Sequence, residues 1–220
     1  MRQTLFGTLA VIVLLATGYV GLDTWLTNRS VQAQLSDTPS VAGVKTASDD
    51  YQAQEGKDTT PLPKDSLADY AVAASLPRVL YIDKLDVAAR ILPMGVNKDN
   101  SVQAPINIFD AGWYNGSVKP GELGAVFIDG HSSADGRGLF GYLKTLVVGD
   151  ELRLEKGDGA QITYRVAHTK TVDRNNVDMK ALLRPYGDAT RGLNLGTCIG
   201  SWVEADATLT DRVLVYTEQI

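Results

Sequence analysis

AQITYRVAHTKTV, residues 160–172, is the stretch that decides the fold. Ile162, Tyr164 and Val166 recur in it at every second position, with polar or small residues between them. Successive residues of a β-strand point to opposite faces of a sheet, so these three side chains share one face. The pattern predicts a long strand with one buried face, and it places His168 on that same face.

Similar short segments recur from Pro77 to the end of the chain. They are rich in Val, Ile, Tyr and Thr and are separated by Gly, Asn, Asp and Pro, as strands and turns are. These segments are RVLYI (78–82), DVAARIL (86–92), AVFID (125–129), DELRLEK (150–156), LNLGT (193–197) and DRVLVYTEQ (211–219). Two further segments have helical patterns: LFGYLKTLV (139–147) and NVDMKALLRPYG (176–187), the second opened by Asn176 or Asp178. We predict a mainly β fold, a closed short-stranded β-barrel over residues 77–220 with two or three short helices.

The first 26 residues have a different composition. Residues 5–22 carry no charge. Extended to Leu26, at about 1.5 Å per residue, they span the roughly 30 Å hydrocarbon core of a bilayer. Tyr19 and Trp25 lie where an aromatic belt forms. We predict a single-pass, uncleaved N-terminal transmembrane helix over residues 1–26 that leaves the rest of the chain outside the cytoplasm. The alternatives are a cleaved signal peptide and a buried core helix.

Residues 27–76 are poor in large apolar side chains and rich in Ser, Thr, Ala, Gln and Asp. Such a composition buries too little surface to offset the entropy of ordering, so we predict a flexible extracytoplasmic spacer. Residues 65–74 have the pattern of a short helix capped by Asp65 or Ser66. The alternative is that residues 27–76 pack on the domain as extended arms.

Charge and cysteine content narrow the function classes. The formal net charge is −5, from 26 acidic and 21 basic residues without a basic block, which argues against nucleic-acid binding. Cys198 is the one cysteine. Thiols outside the cytoplasm are commonly paired. Cys198 is therefore buried and inert, or bridges two chains, or is a working thiol.

A working thiol needs a group that manages its proton, and the chain has two histidines. His131 lies in FIDGHSSADGRG (127–138), where an apolar strand ends and a glycine-rich loop begins. Rigid scaffolds present catalytic groups from such loops, so position favours His131, although a Gly-His turn is also ordinary loop chemistry. His168 is better explained as a hydrogen-bonded strand residue.

Arg212 is the candidate for a permanent positive charge near the thiol, which would offset an oxyanion. If LNLGT and RVLVYT are antiparallel neighbours, Cys198 at the end of one segment lies close to Arg212 at the start of the other. The alternative is a surface ion pair of Arg212 with Asp211 or Glu218.

The order of these features resembles that of sortases, the cysteine transpeptidases of bacterial cell surfaces. The residues that carry the resemblance, after an anchor, a spacer and a β domain, are Gly130, His131, Leu195, Gly196, Thr197, Cys198 and Arg212. The runs 111–131 and 139–154 also resemble sortase sequences. The resemblance covers residues 78–220 and is nearest the classes lettered D to F. It departs from the usual Thr-Leu-x-Thr-Cys motif at Asn194, which bears on substrate preference.

The resemblance implies a mechanism and partners. Cys198 would attack a Leu-Pro-x-Thr-Gly-like (LPxTG-like) sorting signal of a surface protein and form a thioester. His131 would protonate the departing amine, and Arg212 would hold substrate carbonyls. The substrate-binding residues implied in the same way are Thr197, Leu195 and Asn194. The alternative for Thr197 is that it is an ordinary β-branched strand residue. The acceptor would be an amine of a peptidoglycan precursor or a pilin.

Other readings remain open. No cofactor or metal is predicted, because NKDNS (97–101) lacks the Gly and Glu of a calcium loop and reads as a turn. With water as acceptor, the same site would be a cysteine protease. A sortase-like barrel with a buried thiol would be a catalytically inactive surface binding or scaffold module. An L,D-transpeptidase or amidase would also fit this location, but the chain lacks the Cys and His motif of those enzymes.

Overall fold

The computed structural model describes residues 48–98, 100–133, 136–206 and 208–220. Eight strands are present among them: β1 Pro77–Ile82, β2 Val87–Met94, β3 Ala111–Tyr114, β4 Gly124–Asp129, β5 Glu151–Lys156, β6 Gln161–Asp173, β7 Arg191–Val203 and β8 Thr208–Gln219. They form a closed barrel in the order β1-β2-β3-β4-β7-β8-β6-β5, and β5 pairs back with β1. The predicted mainly β, closed-barrel fold is confirmed. The predicted transmembrane helix, 1–26, and the adjoining residues 27–47 lie outside the described residues.

Strand β3 is the one strand of the barrel that was not predicted from the sequence. Ala111, Gly112 and Trp113 are all buried, so apolar and polar residues do not alternate along it. It pairs with both of its neighbours along the chain, parallel to β2 and antiparallel to β4. The strand is identified by its neighbours rather than by its own composition.

The helical content is smaller than the patterns predicted. The described helices and 3-10 turns are Asp49–Gln52, Lys64–Leu67, Asp83–Leu85, Leu143–Thr145, Arg174–Asn176, Met179–Leu182 and Glu204–Asp206. The helix predicted over 139–147 is wrong, because a single 3-10 turn stands there and inserts Phe140, Leu143 and Leu146 into the barrel core. The helix predicted over 176–187 is the four-residue Met179–Leu182, capped by Asp178, whose side chain accepts a hydrogen bond from the Ala181 N–H at 3.0 Å.

The orientation predicted for His168 is wrong because β6 contains a β-bulge. Tyr164 and Val166 point into the barrel as expected. The pairing with β8 then shifts between Val166 and His168, so that His168 lies opposite Tyr216, which packs on the outside of the barrel. One extra residue in a strand reverses the face of every residue beyond it. His168 is therefore on the outer face, not on the face of Tyr164.

The site is positioned by two pairings of β7. Strands β4 and β7 are parallel neighbours, with Asp129 opposite Gly196. Because parallel strands end at the same edge of a sheet, the loop that begins at Gly130 lies beside Cys198. Strand β8 pairs antiparallel on the other side of β7 and brings Arg212 to the same place.

Residues 48–76, the described part of the predicted spacer, contact the barrel. Asp58 exchanges backbone hydrogen bonds with Ile106 and Ile108, at 3.1 and 3.0 Å. The Tyr70 hydroxyl donates to the Ile91 carbonyl at 2.7 Å. This arrangement agrees with the alternative of arms packed on the domain, and the boundary at residue 76 stays a prediction. No helix within the described part of the chain is long and apolar enough to cross a membrane.

Candidate active site

Cys198 and Arg212 are direct partners in the β7–β8 ladder. Along β7, Asn194, Gly196 and Cys198 alternate with residues that point into the barrel, so Cys198 lies on the outer side of the wall. The thiol is partly buried and forms no disulfide. This register agrees with the prediction from the sequence that Cys198 lies close to Arg212. The two strands pair because a short connection joins them.

Competing influences act on the Cys198 thiol. Burial raises its pKa, because the charged thiolate loses water. The Arg212 charge and the polar Thr208 side chain lower the pKa, whereas the Asp129 charge raises it. The net effect is a thiol pKa above its usual value, which favours the protonated form at neutral pH.

The Arg212 guanidinium is fixed by the end of the β7–β8 hairpin. Its Nη1 donates to the carbonyls of Leu209 and Asp211, both at 2.9 Å. Its Nη2 donates to the Thr208 hydroxyl oxygen at 3.0 Å. These contacts, among the described residues, are with carbonyls and a hydroxyl, not with the carboxylates of Asp211 or Glu218. The surface ion pair considered as an alternative is therefore not formed.

His131 follows directly on Gly130 at the end of β4. Its Nε2 lies 2.7 Å from the Pro105 carbonyl oxygen, which can only accept, so this nitrogen carries a proton. Burial lowers the pKa of His131, and the bond to Pro105 opposes that effect. The neutral form of the His131 imidazole is therefore favoured, just as the neutral, protonated form of the Cys198 thiol is. The Pro105 carbonyl, not the thiol, is the hydrogen-bond partner of His131 within the described residues.

Two hydroxyl groups tie the β4 end to β7. The Thr197 hydroxyl, which is buried, donates to the Gly130 carbonyl at 2.7 Å. The Ser132 hydroxyl donates to the Cys198 carbonyl. These two bonds flank His131 and fix its backbone relative to Cys198. Ser132 was not predicted from the sequence, although its position next to His131 was a usable signal.

Comparison with known families decides the identity. The family model for the sortase domain matches residues 80–220. The chain belongs to the sortase family. Sortases are cysteine transpeptidases, and Cys198, His131 and Arg212 all lie in the matched part. A search of curated protein sequences found no match.

Solved sortases share the fold at low sequence identity. The pilus-related sortase C of Group B Streptococcus is 22% identical with a TM-score of 0.50, over 76% of this chain and 77% of that one. Sortase C1 of the Group B Streptococcus pilus island 1 is 20% identical with a TM-score of 0.51, over 88% and 82%. Sortase C of Streptococcus pneumoniae is 20% identical with a TM-score of 0.50, over 81% and 82%. These values show the fold, and the class of this sortase stays a prediction.

Asn194 and Leu195, predicted to bind substrate, have side chains that do not reach the surface of this sortase. Leu195 points into the barrel core. Asn194 has no exposed area, and its side-chain nitrogen donates to the carbonyls of Leu182 and Arg184, both at 2.9 Å. Its side-chain oxygen accepts from the Thr217 N–H at 3.3 Å. Asn194 therefore fastens the connection between β6 and β7 to the outer face of the barrel.

That connection covers an apolar cluster beside the edge of the sortase barrel that carries Cys198. The cluster consists of Phe127, Leu182, Leu214 and Tyr216, with Val102, Tyr114, Val172, Val177 and Leu183 packed against it. Phe127 lies over Gly196, where an added Cβ would approach the ring to 3.2 Å. The wall next to Cys198 is therefore built from apolar side chains of β4, β8 and the β6–β7 connection.

Residues 51–58, which we call the covering segment, lie against His131. The Gly56 backbone packs on the imidazole, where a Cβ would come within 2.9 Å of the ring, and Gly56 donates to the Pro105 carbonyl at 3.1 Å. Glu55 accepts from the Ala104 N–H at 3.0 Å. The Tyr51 hydroxyl donates to the Ala104 carbonyl at 3.1 Å. The segment thus shields the imidazole from water in this structure.

Asp129 is a half-buried acid beside the site that was not predicted from the sequence. Burial and the Glu55 charge hold the pKa of Asp129 well above its usual value. Its Oδ1 is buried without a hydrogen-bond partner among the described residues. Gly112 gives this carboxyl room, since a Cβ there would lie 2.5 Å from Oδ1. A neutral Asp129 is the form that this environment favours.

His168 lies away from Cys198, His131 and Arg212. Its ring stacks on Tyr186 with centroids 4.8 Å apart, and both rings are near Tyr216. At about 3.3 Å per residue, Tyr216 is about 13 Å along β8 from Arg212. Within the described ranges, no three His, Cys, Asp or Glu side chains are grouped to hold a metal ion.

Proposed function

We propose that this sortase is a membrane-anchored transpeptidase that cleaves an LPxTG-like sorting signal and transfers the protein to an amine. The observation that carries the proposal is the pairing of Cys198 with Arg212 at the edge where β4 delivers His131. Nucleophile, proton carrier and fixed positive charge are the three groups that thiol-based acyl transfer needs.

Acylation begins when the Cys198 sulfur, as thiolate, attacks the carbonyl carbon of the threonine. The carbonyl oxygen becomes an oxyanion, and the carbon–nitrogen bond to glycine then breaks. His131, as imidazolium, gives its proton to the departing amine. The product is a thioester between Cys198 and the protein to be anchored.

Arg212 has donors left for the substrate. A guanidinium has five N–H groups, and three are used on Leu209, Asp211 and Thr208. The Nε–H and one Nη2–H remain. We assign these two to peptide carbonyls and to the oxyanion, where a permanent charge in a water-poor site has most effect.

Deacylation reverses these steps with a different amine. The incoming amine attacks the thioester carbonyl, loses a proton to His131 and releases the Cys198 thiolate. The acceptor amine belongs to a peptidoglycan precursor or a pilin subunit. Because the Pro105 carbonyl holds Nε2, His131 reaches either amine through Nδ1, or through Nε2 after movement of the covering segment or the loop at Pro105.

The proposed location follows from the sequence. Residues 1–26 would span the cytoplasmic membrane once and hold the barrel on its outer side, where surface proteins and cell-wall precursors meet. Within this proposal Thr197 supports the site through Gly130, and Asn194 supports it through the β6–β7 connection.

The test uses the full-length protein in detergent micelles with a library of Leu-Pro-x-Thr-Gly variants and a panel of primary amines. Mass spectrometry of the intact protein should show a peptide thioester that is absent in Cys198→Ala and present in His168→Ala. The small products should contain the peptide joined to the amine.

Other outcomes assign other functions. A hydrolysed peptide without amine product would make the protein a cysteine protease. Absence of any adduct across the library, together with a Cys198 thiol that is inert to methanethiosulfonate reagents in the folded protein, would leave a binding or scaffold module.

A further inference from the structure

A cleft opens on the outer face of the barrel between β6, β8 and the β6–β7 connection. It has a volume of about 430 Å³ and is lined by aromatic and charged side chains. Its aromatic residues are His168 from β6, Tyr216 from β8 and Tyr186 from the connection. Tyr216 is about 13 Å along β8 from Arg212, so a ligand in the cleft would leave the Cys198 thiol free.

The aromatic side chains give the cleft a flat surface. His168 stacks on the Tyr186 ring, with centroids 4.8 Å apart and an interplanar angle of 12°. Tyr186 is nevertheless 43% exposed, which leaves part of its ring open to a ligand. A flat, half-exposed aromatic ring packs well against another ring or against the C–H face of a sugar.

Positive charge dominates the rest of the lining. Lys170, Lys180 and Arg184 line the cleft together with one carboxylate, that of Asp178. This carboxylate is already used as a helix cap, since it accepts from the Ala181 N–H at 3.0 Å. Within the described part of the chain, none of the three cations takes part in a salt bridge. The cleft therefore attracts anions, although the chain as a whole has a formal net charge of −5.

Tyr216 contributes a polar atom that lacks a partner. The residue is only 3% exposed, and its hydroxyl forms no hydrogen bond among the described residues. The Lys170 Nζ lies 5.3 Å from the centroid of the same ring, so a cation accompanies it in the lining of the cleft. A buried hydroxyl without a partner is unfavourable, and a ligand oxygen that bonds to it would remove this cost.

We propose that the cleft binds an anionic sugar, whose ring packs on Tyr186 and whose carboxylate or phosphate is held by Lys180 and Arg184. Both cations form charge-assisted hydrogen bonds with such oxygens, and a guanidinium can use two N–H groups at once. An apolar ligand is disfavoured, because sites for apolar molecules have mainly apolar walls. A nucleotide is the competing ligand, but its base would need a deeper apolar slot than one half-exposed ring provides.

The experiment measures binding to the full-length protein in detergent micelles by isothermal titration calorimetry. The probes are glucuronic acid and glucose 6-phosphate, and the comparison ligands are glucose, inorganic phosphate and AMP. We expect the two anionic sugars to bind, and their affinity to fall about tenfold in Lys180→Gln, Arg184→Gln and Tyr186→Ala. Lys144→Gln removes the charge of an exposed lysine outside the cleft and is the matched control, which should bind like the wild type.

A second measurement distinguishes two sources of the same chemistry, a glycan polymer of the cell surface and a free sugar phosphate. The protein is sedimented with protein-free cell walls, before and after acid extraction of their phosphate polymers. Sedimentation that glucose 6-phosphate competes away would identify a wall polymer as the source. Binding of the free sugars without sedimentation would identify a soluble ligand.

Several results would overturn the sugar site. They are the absence of binding in both measurements, glucose or inorganic phosphate binding as tightly as glucose 6-phosphate, AMP binding more tightly, and affinities that Arg184→Gln and Tyr186→Ala leave unchanged. If Tyr186→Ala folds poorly by circular dichroism, Tyr186→Leu is read in the same way. The site does not depend on transpeptidation, so Cys198→Ala should bind the sugars like the wild type. A failed peptide assay with intact sugar binding would therefore reject the proposed function and keep this site.

Discussion

Cys198 and Arg212 face each other across the β7–β8 ladder, one residue pair before the ladder shifts its register between Ile199 and Trp202. Gly200 at this bulge has a φ of +95°, a conformation that favours glycine. The bulge bends the hairpin end, and Arg212 folds along it to reach Leu209 and Thr208. The charged partner of the thiol is thus fixed by backbone geometry as well as by sequence.

Replacing Arg212 with lysine should lower kcat/KM for the peptide by about 10²- to 10³-fold, although the charge is retained. The ammonium cannot make the planar set of bonds to Leu209, Asp211 and Thr208 while also facing the substrate. Steady-state kinetics measure the loss. Arg191→Lys is the control, because Arg191 donates to the Gly121 carbonyl at the opposite end of β7. Equal losses in both variants would count against a specific role for Arg212.

His131→Ala should reduce turnover by at least about 10²-fold, the usual contribution of a positioned acid–base group. His168→Ala should leave kcat within about twofold, because its ring stacks on Tyr186 away from the thiol. Peptide cleavage measured by chromatography distinguishes the two. A larger loss in His168→Ala than in His131→Ala would reverse the assignment.

We expect a bell-shaped pH dependence of kcat/KM in which the two groups are assigned to the limbs in an unusual order. The reactive form needs a thiolate and an imidazolium together. Burial raises the pKa of Cys198 and lowers that of His131, so their working forms coexist only in a small fraction of molecules. Under this order the acid limb reports His131 and the basic limb reports Cys198.

Titrating the two groups independently tests which of them is responsible for each limb of the profile. Alkylation of Cys198 should titrate with the basic limb. Arg212→Gln removes a charge that lowers the thiol pKa, so it should move the basic limb, and the alkylation titration with it, to higher pH and leave the acid limb in place. A shift of the acid limb alone would contradict the assignment.

The covering segment should control access to His131. Glu55→Ala removes the acceptor of the Ala104 N–H and should increase several-fold the rate at which diethyl pyrocarbonate modifies His131. Mass spectrometry compares His131 with His168, which serves as the internal reference. Gln52→Ala, a change at an exposed position within the segment, should have no effect. Equal rates for His131 in wild type and Glu55→Ala would show that the segment does not shield the ring.

Asn194→Thr restores the residue that is usual in the sortase motif, yet it should weaken this protein. Threonine cannot bond both the Leu182 and Arg184 carbonyls, and a buried carbonyl without a partner costs about 1–3 kcal/mol. We expect a lower free energy of unfolding in denaturant and a raised KM with little change in kcat. Asn176→Thr, at an exposed site in the same connection, is the control. A stability equal to wild type would show that these bonds are dispensable.

The sequence by itself determined most strands, because their residues repeat with the period of a half-buried sheet. It also predicted that Cys198 and Arg212 are close, since they belong to consecutive strands joined by a short connection. His131 could be located at a strand end for the same local reason. Each of these conclusions depends on neighbours in the chain.

Only the tertiary structure decided the features that depend on distant partners. The parallel pairing of β4 with β7, the bulge that turns His168 outward and the contact of Gly56 with His131 arise from register and packing across the whole barrel. Asn194 is the sharpest case. Its sequence context suggested a contact with the peptide substrate. In the structure its side chain is buried and holds the β6–β7 connection in place through three hydrogen bonds. The reason is that a buried amide must satisfy its polar atoms inside the protein.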